Sequence, residues 1–107
     1  MPIEAIQVIT TTAERTEADT IAEALLQQRL AACVQIGGPV DSSYWWNGRI
    51  ETSRDFVLTI KTRRDLFPRL EAAILALHPY EQPEILAVAA VDATPGYLKW
   101  LEDQTAK

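Results

Sequence analysis

Asn47-Gly48 is the feature that most narrows the folds open to this chain. An Asn-Gly pair between two β-rich runs specifies a two-residue type I′ hairpin turn, because both central residues must adopt positive φ. Leading into it, Val40 to Trp46 resumes a strand that starts at Ala32-Cys33-Val34-Gln35-Ile36, with Gly37-Gly38-Pro39 between them reading as a bulge or bend. Leading out, Arg49-Ile50-Glu51 opens a return strand that continues through Phe56-Val57-Leu58-Thr59-Ile60-Lys61. A two-residue turn sets the register: Trp46 opposite Arg49, Trp45 opposite Ile50, Tyr44 opposite Glu51. It also brings Arg49 within stacking reach of the Trp46 ring. Each arm runs to about 14 residues, or roughly 45 Å. The flanking helices span only roughly 21 Å. The tip, with Tyr44, Trp45 and Trp46, therefore protrudes and calls for a covering partner, which points to oligomerisation through the hairpin.

The remaining elements place that hairpin in a fold. Ala5 to Thr12 is β-branched and reads as a strand. Thr16 then suits an N-cap, and Ile21, Ala22, Leu25, Leu26 and Leu30 recur at helical spacing over about residues 16–31. Asp65 suits the cap of a second helix, with Pro68 in its first turn and Phe67, Leu70, Ile74 and Leu77 as its buried stripe. Arg63 and Arg64 read as a solvated pair. Pro79 ends the helix. Glu84 to Val91 is a continuous apolar run, the pattern of a strand buried on both faces. Thr94-Pro95 caps a short last helix carrying Tyr97, Leu98, Trp100 and Leu101, with Trp100 read as packing. The order β-α-β-β-α-β plus a terminal helix is an α+β, ferredoxin-like sandwich. Both main helices then lie on one face of a four-stranded antiparallel sheet, and the other face needs cover from the terminal helix or from neighbouring subunits.

Bulk properties bound the function. The 107 residues suit one domain, 1–107, with 48% hydrophobic and 23% charged residues. A net charge of −5 argues against a nucleic-acid partner. The start, Met1-Pro2-Ile3-Glu4-Ala5, lacks a basic leader, and no apolar run is long enough to span a bilayer. Cys33 is the one cysteine, so no intrachain disulfide forms; the chain reads as cytoplasmic, with no membrane association.

The chemistry-bearing residues gather between two prolines, in His78-Pro79-Tyr80-Glu81-Gln82-Pro83-Glu84. Each proline pushes the residue before it out of the α region, so the loop is stiff. Its plain reading is a helix-to-strand connector. Its functional reading is a metal site: His78 and Glu81, with Cys33 as a soft ligand, suit copper or zinc. One His and one Cys fall short of a closed zinc site, so such a site would be open or shared between subunits. His78 with Glu81 could also serve as a base and its orienter, but no motif supplies a nucleophile, and an enzyme is not indicated. No Gly-rich loop opens a helix, and no organic cofactor is indicated.

Five stretches carry a resemblance: Leu30-Ala31-Ala32-Cys33-Val34, Tyr44-Trp45-Trp46-Asn47-Gly48-Arg49-Ile50-Glu51, Ile60-Lys61-Thr62, His78 to Ile85, and Tyr97-Leu98-Lys99-Trp100-Leu101. In order and spacing the chain resembles the CutA divalent-cation-tolerance family over nearly its whole length. The resemblance implies a homotrimer similar to PII signalling proteins, with tolerance to copper and other divalent ions. It implies clefts between subunits that gather Trp46, Lys61, His78, Tyr80, Glu81 and Glu84. The metal positions assigned are His78, Glu81 and Cys33; Trp46, Lys61, Tyr80 and Glu84 are assigned to ligand binding. Where family members with a copper site have a Cys and two adjacent histidines, this chain has Thr10, Leu77 and His78. Two alternatives stay open: a PII-like module holding a small anionic or aromatic ligand against Trp46, Lys61 and Tyr80, and a scaffold whose motifs serve only the trimer.

Overall fold

A two-residue turn does set the register of the longest element. In the computed structural model, which describes residues 3–106, Asn47 and Gly48 take φ of 52° and 75°. They join β2 (Cys33–Trp46) to β3 (Arg49–Arg63), and Trp46, Trp45 and Tyr44 stand opposite Arg49, Ile50 and Glu51. The hairpin sets the long dimension of the molecule, 46 Å against 26 and 22 Å. Trp45 is 71% exposed at its tip. Among the described residues Arg49 makes no cation–π contact with Trp46; its guanidinium pairs with Glu51 at 3.3 Å.

The bulge falls between Gly37 and Val40. Gly38 sits at φ 123°, and a Cβ there would stand 2.9 Å from the carbonyl oxygen of Asp55. Only glycine combines that backbone conformation with so close an approach.

The other elements are β1 (Ala5–Thr12), α1 (Arg15–Gln27), α2 (Phe67–Leu77) after a 3₁₀ turn at Arg64–Leu66, β4 (Leu86–Ala89) and α3 (Pro95–Gln104). The sheet order is β2-β3-β1-β4 with every pairing antiparallel. This is the expected split arrangement. Strict alternation along β1 buries Ile6, Val8, Thr10 and Thr12. Ile6 and Val8 meet Leu58 and Ile60 of β3, Ile21 and Leu25 of α1, and Leu70 and Ile74 of α2 in one core cluster. No helix among the described residues is long and apolar enough to cross a membrane. Met1 and Pro2 of the N-terminal segment read above lie outside the described residues, as does Lys107.

Several local expectations give way. The first helix is capped at Glu14, not Thr16, because Glu17 reaches back to accept the Glu14 N–H at 3.2 Å. It ends at Gln27 rather than near 31, since Arg29 enters the left-handed region at φ 60°. Asp65 does not cap α2; it lies inside the 3₁₀ turn, 3.2 Å from Arg63. Arg63 is buried, not solvated, and donates to the carbonyl of Ala106. Arg64 is exposed and pairs with Glu4 at 3.0 Å. The stripe of α2 stops short at its end, where Leu77 is exposed.

β4 departs most. The apolar run spans Glu84 to Val91, yet only Leu86–Ala89 pair, and all four are exposed. The strand is an edge, bonded only to β1, so a single chain covers neither of its faces. Trp100 is also on the surface, tilted against Tyr97 with ring centroids 5.6 Å apart. Leu101 is the residue of α3 that packs inward.

Replacing Gly38 by alanine is expected to destabilise the fold by about 1–3 kcal/mol, from the strained backbone alone. Urea denaturation of the two proteins measures it, and an unchanged midpoint would show that the bulge tolerates a side chain.

Candidate functional site

α2 carries the chain to the end of the sheet and stops because Pro79 forbids another turn. His78 is therefore extended, at ψ 131°, while its N–H still closes the helix on the Ile74 carbonyl at 2.8 Å. This turns the imidazole inward, where it is buried. Nε2 lies 2.7 Å from the Thr11 carbonyl oxygen, and Nδ1 accepts the Tyr80 N–H at 3.2 Å. A carbonyl can only accept, so Nε2 carries the proton and Nδ1 is the acceptor. The Tyr80 ring packs on the imidazole at 4.8 Å between centroids. His78 thus ties the end of α2, the end of β1 and the start of the Pro-bracketed loop together.

Beside this anchor lies a cleft of about 730 Å³. One wall is the hairpin. Cross-strand partners share a face, so the pairing of Ser42 with Ser53 puts Ser42, Tyr44 and Trp46 of β2 on the same side as Ser53 and Asp55 of β3. The other wall is the loop, through Tyr80, Glu81, Gln82 and Glu84, with Thr11 between. Asp55 is only 5% exposed, and Ser53 Oγ donates to its Oδ2 at 3.1 Å. Among the described residues no Lys, Arg or His lies within ion-pair distance of Asp55, Glu81 or Glu84. A second hollow, about 850 Å³, lies between β4, the start of α2 and α3, and holds none of the assigned site residues.

The fold brings together Trp46, Tyr80, Glu81 and Glu84 and sets two residues apart. Cys33 and Lys61 pair with each other, and Lys61 also faces Gln7 of β1. His78 meets β1 at Thr11, four residues further along, or roughly 13 Å. Within one chain, then, Cys33 cannot share a metal with His78. Among the described residues no three His, Cys, Asp or Glu side chains cluster as metal ligands. Both imidazole nitrogens are already engaged, so a metal on His78 would have to break one of its two hydrogen bonds. The free donors near the loop are carboxylate oxygens, which suit hard divalent ions better than copper.

Asp55 and Tyr44 also line the cleft, though neither is among the residues assigned to a site from the sequence. The signal was present for both: the hairpin register puts them on the face of Trp46. The count from the turn reaches Asp55 unbroken, since it pairs with Val40 on the turn side of the bulge. Its consequence appears at Tyr80, whose phenol is held above its ordinary pKa of 10.0, first by burial and then by the negative charge of Asp55. A raised value means the folded state holds that proton more tightly than the unfolded chain does. The resulting stability is present below pH 10.0 and lost as pH rises through the folded value. Tyr80→Phe is expected to flatten part of the alkaline stability loss, and Asp55→Asn to bring phenolate absorbance in at lower pH. Identical alkaline melting profiles for wild type and Tyr80→Phe would remove the effect.

Residues 6–104 match the family model described as CutA1 divalent ion tolerance protein. A curated relative, the divalent-cation tolerance protein CutA of Thermus thermophilus, is 40% identical, covering 96% of this chain and 99% of its own. The protein of the same name from Pyrococcus horikoshii is 37% identical over 95% and 99%. The crystal structure of CutA1 from Oryza sativa superposes with a TM-score of 0.95 at 32% identity, covering 99% of this chain and 97% of the other. These names describe tolerance proteins, not enzymes. With the long hairpin, the split sheet and the His78 loop all in place, the chain belongs to the CutA1 divalent ion tolerance family.

Proposed function

We propose that this protein acts in divalent-cation tolerance as a homotrimer in the cytoplasm, holding divalent ions weakly at the carboxylates of its Pro-bracketed loop. Family membership carries the tolerance role. The local support is the set of carboxylates, Asp55, Glu81 and Glu84, with no cation beside them among the described residues. Glu81 and Glu84 are exposed and can offer carboxylate oxygens to an ion. His78 enters as the anchor that aims the loop, and copper enters only as one of several candidate ions. Cys33, half-buried on β2, would join such a site only from another subunit.

The trimer rests on apolar surface that one chain leaves bare. Trp45 and Ile50 are 71% and 65% exposed on the hairpin, and Leu86 and Val88 are exposed on the edge strand. Patches of this kind mark association surfaces. Sedimentation equilibrium is expected to return three times the chain mass, and a monomer at micromolar concentration would overturn the assembly.

Equilibrium dialysis with Cu(II), Zn(II) and Mn(II) tests the ion. Saturable binding is expected with a Kd on the order of 0.1–1 mM, weakened about tenfold in Glu81→Gln. His78→Ala is expected to lose about 1–3 kcal/mol of stability even without metal, because the Thr11 carbonyl and the Tyr80 N–H lose their partner. No saturable binding of any of the three ions would remove the metal reading. Tight copper binding abolished by His78→Ala would instead make the imidazole a direct ligand.

A further inference from the structure

We infer that the end of the chain is a latch: Gln104, Thr105 and Ala106 fasten α3 to the rest of the molecule, and α3 opens as one unit when they let go. The latch needs neither the metal reading nor the trimer. Three observations carry it.

The first is how little else holds α3. Of its ten residues only Leu101 is buried. Tyr97 and Trp100 lean on each other, and Lys99 pairs with Asp103 one turn along the same helix. Towards β4 and the start of α2 the helix borders the hollow of about 850 Å³, and Leu98 is its only residue there. A helix with one buried anchor, whose other side chains pair among themselves, sits at the low end of local stability. Its opening would uncover Phe67, Ala87 and Ala89 in the wall of that hollow.

The second is where the hydrogen bonds go. Among the described residues, those that leave α3 and the tail for other elements all run through Gln104 and Ala106. Arg29 holds both. Its guanidinium donates to the Gln104 carbonyl and side-chain oxygen at 3.3 and 3.2 Å, and its own carbonyl accepts the Ala106 N–H at 2.7 Å. The third is Arg63, whose buried guanidinium donates to the Ala106 carbonyl from the end of β3. Without the tail that guanidinium keeps only Asp65 beside it, and a buried donor that loses its acceptor is costly. Thr105 shapes the tail for this seat. It is 4% exposed and turns its hydroxyl back to the Leu101 and Glu102 carbonyls at 2.9 and 3.2 Å. The helix ends there, and the chain runs on extended to Ala106, which packs against the core.

Amide hydrogen exchange, read by mass spectrometry on the full-length protein in its assembled state, is the test. Amides of α3 are expected to exchange at least about tenfold faster than those of α1 and α2. Ala106→Pro deletes the N–H that Arg29 accepts, and Thr105 is already extended, as a residue before proline prefers to be. Arg29→Asn removes the guanidinium and keeps a residue that tolerates positive φ. Each is expected to speed α3 about fivefold further and to leave α1 and α2 unchanged. Gly38→Ala, which does not touch the tail, serves as the control and is expected to leave α3 unchanged. Sedimentation equilibrium is run on every protein. The latch is overturned if α3 exchanges no faster than α1 and α2, if both tail variants leave it unchanged, or if Gly38→Ala speeds it as much as they do. Acceleration found only in variants that have lost the oligomeric mass of the wild type also overturns it, because the hold on α3 would then lie in contacts between subunits.

Discussion

The register of one hairpin decides what this protein can present. Asn47-Gly48 fixes the count from the turn, and the bulge at Gly37-Gly38-Pro39 resets it by skipping residues between Gly37 and Val40. Beyond the bulge the strands belong to the core: Leu58 and Ile60 are fully buried. Before it they belong to the surface and to the cleft. A one-residue slip would exchange Tyr44 and Trp46 for Ser43 and Trp45 on the cleft side. Gly38 is where both regimes meet, since its backbone lies against the Asp55 carbonyl. A side chain at this position would meet the backbone of β3 where Asp55 sits.

The second constraint is the His78 clamp. It joins three elements through one neutral ring, and it explains why the chain keeps a polar residue in a buried position. Without it the Thr11 carbonyl would be an unpartnered acceptor near the sheet end, and the loop would be tied down only by its prolines. The ring spends both nitrogens on this task. That is a structural role with a functional effect, since it aims Tyr80 at Asp55 and leaves Glu81 and Glu84 at the mouth of the cleft.

Much of this was legible in the sequence, and the exceptions have physical reasons. The hairpin register, the sheet connectivity and the crowding of chemistry between Pro79 and Pro83 follow from local rules that tertiary packing does not override. The cap of α1 moved because two glutamates spaced three apart outcompeted a threonine. β4 misled because apolar composition reports what a strand would bury, not what a single chain supplies to bury it. Arg63 misled for the opposite reason: a basic pair looks solvated until the C-terminal Ala106 folds back over one member. Asp55 stayed invisible because nothing local distinguishes it from its charged neighbour Arg54, which is exposed and pairs with Asp41. Its environment is made by Tyr80 and Ser53, and one of these is 25 residues away in sequence.

Charge accounts for how the fold and the function fit together. The chain carries 15 acids against 10 basic residues, and the described ion pairs take up Arg15, Arg49, Arg54, Arg63, Arg64 and Lys99. The cleft acids are left out of that pairing. Two of them cost little, because water solvates Glu81 and Glu84. Asp55 is held instead by hydrogen bonds from Ser53 and the Tyr80 phenol, and its charge is felt in that phenol. An exposed acid pair alone would fit any dissolved cation. The cleft sets these acids beside three aromatic rings, with Asp55 held by Ser53 and by the Tyr80 phenol rather than by a basic side chain of its own chain.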